Sequence, residues 1–321
     1  MIDIADIEAA AERLSGVSVK TPLLQNYELD QAAGGTVLLK PECLQLTGSF
    51  KIRGAYNFLS QLSEEQGRRG VVAWSSGNHA QGVAAAGAML DIPTAIVMPE
   101  DAPRAKLANT ARLGGEVITY DRYTQDREAI AREIAAERGA EVVPSYDHED
   151  IIAGQGTVGL EIAEECLKLG LPPDQVLICC GGGGLTAGSS IALKARFPDV
   201  SVHTVEPEAF DDTARSLELG ERVCVDASAR SICDALQAPT PGAMTFAINK
   251  ELVGAGLSVS DDEVREAMRF AFRNLKLVLE PGGAVALAAV LAKKIETAGK
   301  VTVVVLSGGN VDIDLFAEIQ R

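Results

Sequence analysis

Lys51 lies in the stretch SFKIRGAYNFL (residues 49–59), in a position that is unusual for a lysine. The stretch predicts a helix that begins at about Phe50 and is capped by Ser49. Lys51 then lies in the first turn, where the helix dipole disfavours a cation. At the helical period it shares a face with Ala55, Phe58, Leu59 and Leu62, whereas Arg53, Asn57, Ser60, Gln61 and Glu64 occupy the other face. A lysine in these surroundings has a lowered pKa and attacks carbonyl groups, although a surface lysine with a buried stem is the alternative.

A second group of candidate residues is the run CCGGGGLTAG (179–188), which follows an apolar segment and precedes a helical one. Glycines at such a junction let an anion approach the backbone N–H groups, and the helix dipole adds to the attraction. The run is not a P-loop, because no GK[ST] follows. Gly182, Gly184 and Gly188 form an imperfect dinucleotide fingerprint, for which Glu206 is a candidate ribose-binding acid. A phosphate site, a dinucleotide site and a plain tight turn remain open here.

Two other predicted strands end in residues that suit a ligand. In AWSSGNHAQGVA (73–84), the segment SSGNH (75–79) presents hydroxyls and backbone N–H groups at a helix start, which suits a carboxylate or a phosphate. In VVVLSGGN (303–310), Ser307 closes a buried strand and is placed to bond a ring atom of a ligand. Simple capping of the helix or of the sheet edge is the alternative in both cases. In open α/β sheets, ligands bind beyond the carboxyl ends of the strands.

Lys51 and the glycine run together predict a cofactor. An imine-forming lysine requires an aldehyde, and a cradle of backbone N–H groups requires a phosphate. Pyridoxal 5′-phosphate carries both groups. A nicotinamide oxidoreductase that uses the glycine run is the alternative from a different class, and it leaves Lys51 and SGGN unexplained. Absorbance of an imine, lost on borohydride reduction with Lys51 modified, separates the two.

The elements that position these residues alternate between short apolar runs and helical patterns. Strands are predicted at 36–41, 71–76, 94–99, 116–120, 141–145, 175–180, 201–207 and 301–307. Helices are predicted near 50–63, 78–89, 103–113, 124–138, 155–169, 185–197, 262–276 and 283–297. This alternation is typical of an α/β protein with parallel sheet flanked by helices. The strands are apolar throughout, as expected when both faces of a sheet are covered.

Composition excludes several classes of protein. The 321 residues carry 45 acidic and 29 basic side chains, a net charge of −16, which argues against nucleic acid and anionic membranes as partners. The six cysteines have no zinc-ligand spacing and are expected to be reduced. The N-terminus MIDIADIEAAAERL lacks the features of a signal peptide, and no stretch reaches the roughly 18 apolar residues of a membrane span. We therefore expect a cytoplasmic protein with a small-molecule substrate.

Five motifs in order carry a resemblance to a known family. GSFKIRGA, SSGNHAQG, AGQGT (153–157), GGGGL and LSGGN resemble the fold-type II pyridoxal-phosphate enzymes, with a tryptophan synthase β-like fold. The similarity is greatest to the group of serine/threonine dehydratases, serine racemases and 3-hydroxyaspartate dehydratases, and it extends from about residue 5 to 315. It implies two interleaved domains, a large cofactor-binding domain (1–66 plus 148–321) and a small domain (67–147). It also implies a homodimer, and a catabolic or unregulated form without a C-terminal regulatory domain.

The resemblance implies a role for each cofactor-binding residue. Lys51 holds the cofactor as a Schiff base and moves the α-proton, and Phe50 lies beside the ring. Asn78 bonds the phenolic oxygen, and Ser307 faces the pyridine nitrogen. The backbone N–H groups that hold the phosphate are those of Gly182, Gly183, Gly184 and Leu185.

The resemblance also implies substrate and metal sites. The substrate carboxylate lies on Ser75, Ser76, Gly77 and His79. Ser76 in addition occupies the place of a racemase acid/base, which leaves racemisation open. Arg127, with His79 assisting, is a candidate for a second carboxylate, although Arg127 also suits surface ion pairs on its helix. Glu206, Asp212 and the carbonyl of Phe210 match a divalent-cation site for Mg²⁺ or Ca²⁺, and an acidic surface turn is the alternative.

The function implied is a pyridoxal-phosphate-dependent ammonia-lyase, or dehydratase, that acts on a β-hydroxy amino acid. Arg127 favours 3-hydroxyaspartate, which gives iminosuccinate or oxaloacetate and ammonia. L-Threonine or L-serine dehydratase is one alternative, and a serine or aspartate racemase is another. Pro239 stands where racemases have a serine that contacts the substrate, which weakens the racemase alternative. A non-catalytic relative is disfavoured by the presence of Lys51 and Ser76.

Overall fold

A computed structural model describes residues 2–75, 77–102, 104–226 and 228–321. In these residues the strands are β1 (Leu24–Gln25), β2 (Thr36–Pro41), β3 (Val71–Trp74), β4 (Thr94–Pro99), β5 (Glu116–Tyr120), β6 (Glu141–Val142), β7 (Gln175–Cys179), β8 (Ser201–Pro207), β9 (Gly256–Val259) and β10 (Val301–Leu306). The α-helices are α1 (Ile4–Arg13), α2 (Tyr27–Ala33), α3 (Lys51–Leu59), α4 (Glu64–Arg69), α5 (Asn78–Met89), α6 (Arg104–Arg112), α7 (Arg127–Arg138), α8 (Glu149–Leu169), α9 (Gly184–Arg196), α10 (Asp212–Leu219), α11 (Ala243–Leu252), α12 (Asp261–Phe270), α13 (Pro281–Leu291) and α14 (Ile313–Gln320).

The strands form two sheets that are parallel except at one edge. The larger sheet has the order β1-β2-β10-β7-β8-β9, and only β1 pairs antiparallel to its neighbour. The smaller sheet has the order β5-β4-β3-β6 and is parallel throughout. The predicted α/β architecture is confirmed. Sequence patterns missed β1 and β9, because β1 has two residues and β9 lies in an irregular segment rich in Asp, Pro and Gly.

The larger sheet is covered on both faces, which explains its uniformly apolar strands. Val303, Val304 and Val305 in the central strand β10 are fully buried. Helix α13 packs over the same sheet with apolar residues on every side. The carboxyl ends of β7 and β10 lie side by side, and the sequence stretches with candidate ligand-binding residues follow these two ends. The register of the sheet therefore brings the glycine run and the SGGN stretch together.

Helix α8 packs against two helices, α3, which begins at Lys51, and α9, which follows the glycine run. A Cβ on Gly154 would lie 2.5 Å from the carbonyl oxygen of Arg53 in α3, and one on Gly159 would lie 2.5 Å from Ser189 in α9. Only glycine permits these approaches, because real Cβ atoms do not come so close. The AGQGT motif therefore has a packing role: it lets α8 contact α3 directly.

Helix α3 is buried on both faces, contrary to the face assignment from periodicity. Its apolar residues pack against α5, in one hydrophobic cluster with residues of the smaller sheet. Arg53 on the opposite face is also fully buried and forms ion pairs with Glu42 at 2.8 Å and Glu161 at 2.7 Å. Lys40 pairs with the same Glu161, so these four residues form one buried ion cluster. Periodicity identified the polar face correctly but not the two carboxylates that allow it to be buried.

The predicted division into two domains remains a prediction. Each sheet lies within one predicted unit, the larger in 1–66 plus 148–321 and the smaller in 67–147. Helix α3 falls in the larger predicted unit and packs against α8 there, but it also packs against α5 of the smaller predicted unit. It therefore contacts both. None of the helices in the described part of the chain has the length and apolar content that a bilayer crossing requires.

Candidate active site

Lys51 is the first residue of α3, and its side chain lies near Ser145, which follows β6, and Cys179, which ends β7. Its ammonium donates a hydrogen bond to the carbonyl oxygen of Ser145 at 2.7 Å and lies 5.1 Å from the centre of the Phe50 ring. Burial lowers the pKa of Lys51 to about 8, although the neighbouring groups of Cys179 and Glu280 act in the opposite direction. A substantial fraction of this lysine is therefore a neutral amine at mildly alkaline pH, as a carbonyl nucleophile must be.

The cap predicted for this helix is wrong. Phe50 is the N-cap of α3 and no side chain caps it. Ser49 has an extended backbone, is bridged to Gly308 after β10, and has a buried hydroxyl without a hydrogen-bond partner among the described residues. The bridge to the larger sheet holds Ser49 away from the helix start. It also joins Phe50 to Ser307, whose carbonyl accepts the Phe50 N–H at 3.2 Å.

The glycine run lies between β7 and α9. Gly183, the N-cap of α9, has φ of +94°, and no side chain caps this helix. A Cβ on Gly182 would lie 2.3 Å from the ring of Tyr146, and one on Gly184 would lie 2.5 Å from the side-chain oxygen of Gln155. The packing therefore requires glycine, and the first N–H groups of α9 are available to an anion.

The start of α5 offers a second anion site. Gly77 is the N-cap without a capping side chain, and its N–H donates to the Ser75 hydroxyl at 3.1 Å. The N–H groups of the first helical turn, which include those of Asn78 and His79, have no partner within the helix. This arrangement suits a carboxylate. Ser76, predicted as substrate-binding and as acid/base, lies outside the described residues.

The side chain of His79 is buried and is hydrogen-bonded to the backbone. Its Nε2 atom lies 3.0 Å from the carbonyl oxygen of Val143, so this nitrogen carries the proton. Burial, together with the nearby Lys51, lowers the pKa of His79 to about 3. The imidazole therefore stays neutral and supplies no positive charge to a second carboxylate. Its backbone N–H remains the group available for the predicted contact with a substrate.

Ser307 lies at the end of β10, next to the end of β7. It lies close to the thiol of Cys179, and burial raises the pKa of that thiol to about 11 although Ser307 acts to lower it. Both side chains are buried beside Lys51. The hydroxyl is neutral and lies beside a neutral thiol. A ring nitrogen placed here would therefore have no carboxylate partner from the ends of β7 and β10.

Asn78 is hydrogen-bonded through both ends of its side-chain amide. Its amide nitrogen donates to Glu280 at 2.5 Å, and its amide oxygen accepts from Asn310 at 2.7 Å. Glu280 precedes α13 and is 3% exposed. Burial and the neighbouring Asp234 raise its pKa to about 7. Glu280 was missed in the sequence analysis. A single carboxylate between an apolar run and the PGG of a helix start is a pattern that could have indicated a buried site residue.

Glu206 and Asp212 lie together after β8. The two oxygens of Glu206 accept the N–H groups of Thr213 and Ala214 at 3.0 and 2.8 Å, so this carboxylate caps α10. One oxygen of Asp212 is buried without a hydrogen-bond partner among the described residues. Burial raises the pKa of Glu206 to about 8, with Asp212 adding to the effect, and burial raises the pKa of Asp212 to about 7.

This carboxylate pair fits a divalent cation. Two buried carboxylates that are close together favour a positive partner, and oxygen ligands suit Mg²⁺ or Ca²⁺. Within the described ranges no three His, Cys, Asp or Glu side chains cluster as metal ligands, so a carbonyl such as that of Phe210 is needed to complete the set. Both oxygens of Glu206 already accept N–H groups at the start of α10, so a cation would be bound through the remaining lone pairs of this carboxylate.

Arg127 is the first residue of α7 and is exposed at the rim of the cleft. It lies near Tyr146, whose pKa is raised by burial and by Asp147 and is lowered by Arg127. Tyr146 in turn packs on Gly182 of the glycine run. In the part of the chain that the structure describes, Arg127 has no ion pair; the neighbouring Glu128 pairs with Arg132 instead.

These residues fit pyridoxal phosphate. An amine of lowered pKa, an uncapped helix start behind three glycines, an amide and a neutral hydroxyl surround one space at the ends of β7 and β10. Lys51 would hold the aldehyde carbon, the glycine run the phosphate, Asn78 the phenolic oxygen and Ser307 the ring nitrogen. The structure brings all of these predicted residues to the same cleft.

Known proteins resemble the chain over almost its whole length. Residues 14–308 match the family model described as pyridoxal-phosphate dependent enzyme. The chain is 45% identical over 316 residues to an L-threo-3-hydroxyaspartate ammonia-lyase from Pseudomonas sp, with 98% of each protein covered. It is 43% identical over 312 residues to a serine racemase from Schizosaccharomyces pombe, with 97% of this chain and 95% of the relative covered.

A solved structure gives the same result. The crystal structure of a threonine deaminase from T.th. superimposes with a TM-score of 0.91 at 42% identity, covering 97% of this chain and 99% of the other. The predicted fold-type II architecture is confirmed, and the alternative of a nicotinamide oxidoreductase is wrong. The chain belongs to the family of pyridoxal-phosphate dependent enzymes.

Proposed function

We propose that the protein is an ammonia-lyase that acts on 3-hydroxyaspartate and yields oxaloacetate, by way of iminosuccinate, and ammonia. The main support for the proposed reaction is the position of Lys51 near two helix starts that no side chain caps, those of α5 and α9. The choice of substrate is supported by Arg127 at the rim, which has no ion pair among the described residues, and by the 45% identity to an L-threo-3-hydroxyaspartate ammonia-lyase.

The chain's residues divide the work of the reaction. When bound, the cofactor supplies an electron sink for the pair released at the α-carbon. The start of α5 holds the α-carboxylate, which fixes the α-hydrogen toward the amine of Lys51. Lys51 takes this proton as general base and returns it to the departing β-hydroxyl, which leaves as water. The released enamine tautomerises to an imine, which water hydrolyses to the keto acid and ammonia.

Ser307 favours elimination over reactions that need a long-lived carbanion, such as transamination. A neutral hydroxyl beside the neutral Cys179 thiol does not keep a pyridine nitrogen protonated as a carboxylate would. The electron sink is then weaker, and prompt loss of the β-hydroxyl is favoured over a long-lived carbanion. This supports a lyase rather than a transaminase.

Two other activities remain as alternatives. The 42% identical threonine deaminase structure supports L-threonine or L-serine dehydration by the same residues. The 43% identical serine racemase supports racemisation, for which Ser76 is the candidate second acid/base. Comparing ammonia release from L-serine, L-threonine and the separated 3-hydroxyaspartate isomers, with chiral analysis of the remaining substrate, assigns the main activity.

Replacing Arg127 with alanine is expected to lower kcat/KM for 3-hydroxyaspartate roughly 10- to 100-fold and to leave serine turnover unchanged. A hydrogen bond to a charged group contributes about 1.5–3 kcal/mol, and only the dicarboxylate has the second charged group. The measurement is steady-state ammonia release. Arg132→Ala is the matched control, because Arg132 lies on the same helix but pairs with Glu128. Equal losses on both substrates would contradict the assigned role of Arg127.

We also propose that Glu206, Asp212 and the carbonyl of Phe210 bind a divalent cation. The buried oxygen of Asp212 that lacks a partner among the described residues supports this assignment. Mg²⁺ or Ca²⁺ at about 100 times its Kd is expected to stabilise the protein by roughly 2.7 kcal/mol and to raise Tm. Thermal unfolding with and without the ion measures the shift. Asp212→Asn should remove it, whereas Asp211→Asn, whose carboxylate pairs with Arg215, should not.

A homodimer and a cytoplasmic location remain predictions. The dimer is supported by the family, and the location by the acidic composition of the chain. Light scattering of the purified protein measures the oligomeric state directly.

A further inference from the structure

Asn78 is held from two sides by residues that are distant in sequence. Asn310, after β10, donates from its amide nitrogen to the amide oxygen of Asn78 at 2.7 Å. The amide nitrogen of Asn78 donates to Oε1 of Glu280 at 2.5 Å. The three side chains form one line of hydrogen bonds, which we call the Asn310–Asn78–Glu280 relay. All three come from different segments of the chain.

The direction of this relay is determined by a backbone carbonyl. The amide nitrogen of Asn310 also donates to the carbonyl oxygen of Thr47 at 2.7 Å. A carbonyl oxygen accepts only, so Asn310 must present its NH₂ group on this side. One N–H of Asn310 is donated to Thr47 and the other to Asn78, so both N–H bonds of its NH₂ group are used. Asn78 must therefore turn its oxygen toward Asn310 and its NH₂ group toward Glu280.

Glu280 completes the relay as an acceptor in either protonation state. The groups that face it are the charged Lys51, Lys106 and Asp234 and the thiols of Cys43, Cys179 and Cys233. With a pKa of about 7, its carboxyl carries a proton for part of the time at neutral pH, yet one oxygen can always accept from Asn78.

Gly308 provides the room for this carboxyl. A Cβ on Gly308 would lie 2.2 Å from Oε1 of Glu280 and 3.2 Å from the amide nitrogen of Asn78. The SGGN stretch therefore contributes both a donor, Asn310, and the space in which Glu280 meets Asn78. No other residue type fits at position 308 without moving the carboxyl.

We propose that Asn310 and Glu280 are positioning residues that act through Asn78, fixing its amide so that the second N–H is directed at the phenolic oxygen of the bound cofactor. This inference rests on the proposed placement of Asn78 beside that oxygen. Asn78 Nδ2 has two N–H groups, and Glu280 takes one. An N–H donated to a phenolic oxygen favours its ionised form, so the relay sets the protonation of the bound cofactor.

The test is the pH titration of the visible absorbance of the bound cofactor, together with the Kd for pyridoxal phosphate. Asn310→Asp replaces the donor with an acceptor of the same shape, so the Asn78 amide turns and presents its oxygen to the cofactor. The expected result is a Kd raised roughly tenfold or more and an absorbance midpoint moved by at least about one pH unit. Glu280→Gln keeps an acceptor for Asn78 and should retain the wild-type Kd, whereas Glu280→Leu should not.

Gln175→Glu is the matched control. Gln175 is a buried amide whose nitrogen donates to Glu296 and Thr302 at the opposite end of β7 from the site. The Gln175→Glu variant shows how a buried amide-to-acid change affects stability alone. The pH midpoint of its cofactor absorbance should equal that of the wild type. If Asn310→Asp behaves like Gln175→Glu while Asn78→Ala moves the midpoint, the relay is overturned. If Asn78→Ala also leaves the midpoint unchanged, the placement of Asn78 itself is wrong.

Discussion

Replacing Lys51 with arginine is expected to lower the rate of ammonia release by at least roughly 10³-fold. A guanidinium stays protonated at every accessible pH, so it neither attacks an aldehyde nor takes a proton from the substrate. A positioned general base alone contributes about 10²–10⁴-fold, and loss of covalent attachment adds to this effect. Steady-state ammonia release with saturating pyridoxal phosphate measures the loss.

The site of covalent attachment is a separate readout of the same prediction. After borohydride reduction of the loaded protein, mass spectrometry should find the cofactor on Lys51. Lys40 is the internal control, because it is also buried with a pKa lowered by burial, yet its ammonium is bound by the Thr21 carbonyl and by Glu161. Cofactor on Lys40 or Lys106, with Lys51 unmodified, would show that the assignment is wrong.

The pH dependence of cofactor loading tests the electrostatics of the same amine. Burial lowers the pKa of Lys51 from 10.5 to about 8, and only the neutral amine attacks. The rate of loading of the cofactor-free protein should therefore rise with pH and level off above about pH 8. A rate that still rises steeply near pH 10 would indicate an ordinary exposed lysine.

Replacing Arg53 with methionine is expected to destabilise the protein by about 3–5 kcal/mol. The substitution leaves Glu42 and Glu161 buried beside each other with only Lys40 to compensate them. Removing one partner from a buried ion network has a penalty of this size, because the remaining charge is neither solvated nor paired. Urea unfolding of the cofactor-free protein measures the change in the free energy of unfolding.

Arg132→Met is the matched control for this loss, since Arg132 forms an exposed pair with Glu128. Exposed pairs of this kind contribute about 0.3–0.5 kcal/mol. A loss below about 1 kcal/mol for Arg53→Met would mean that the cluster relaxes or admits water. Although burial acts to raise it, the pKa of Glu42 is lowered in the folded state by Arg53. Its contribution to stability is therefore present above the ordinary carboxyl pKa and is lost as the pH falls below it.

Local patterns in the sequence were sufficient for the class of fold and for the principal site residues. Apolar strands, the four glycines and the helical period of residues 51–59 are properties of short segments, and each survives unchanged in the folded protein. Lys51 was identified in this way, because an ammonium on an apolar face near a helix start is anomalous without reference to any distant residue. The chemistry of imine formation and phosphate binding then followed from residue types alone.

Tertiary structure alone decided what surrounds those residues. Asn78 meets Glu280 across 202 positions and Asn310 across 232, and no local pattern relates residues so far apart. Periodicity placed Arg53 on a polar face but could not show that Glu42 and Glu161 would cover it. Ser49 had the sequence of a cap, but its bridge to Gly308 holds it elsewhere. The physical reason is common to all three: a short segment determines which side a residue lies on, and only packing determines what lies opposite it.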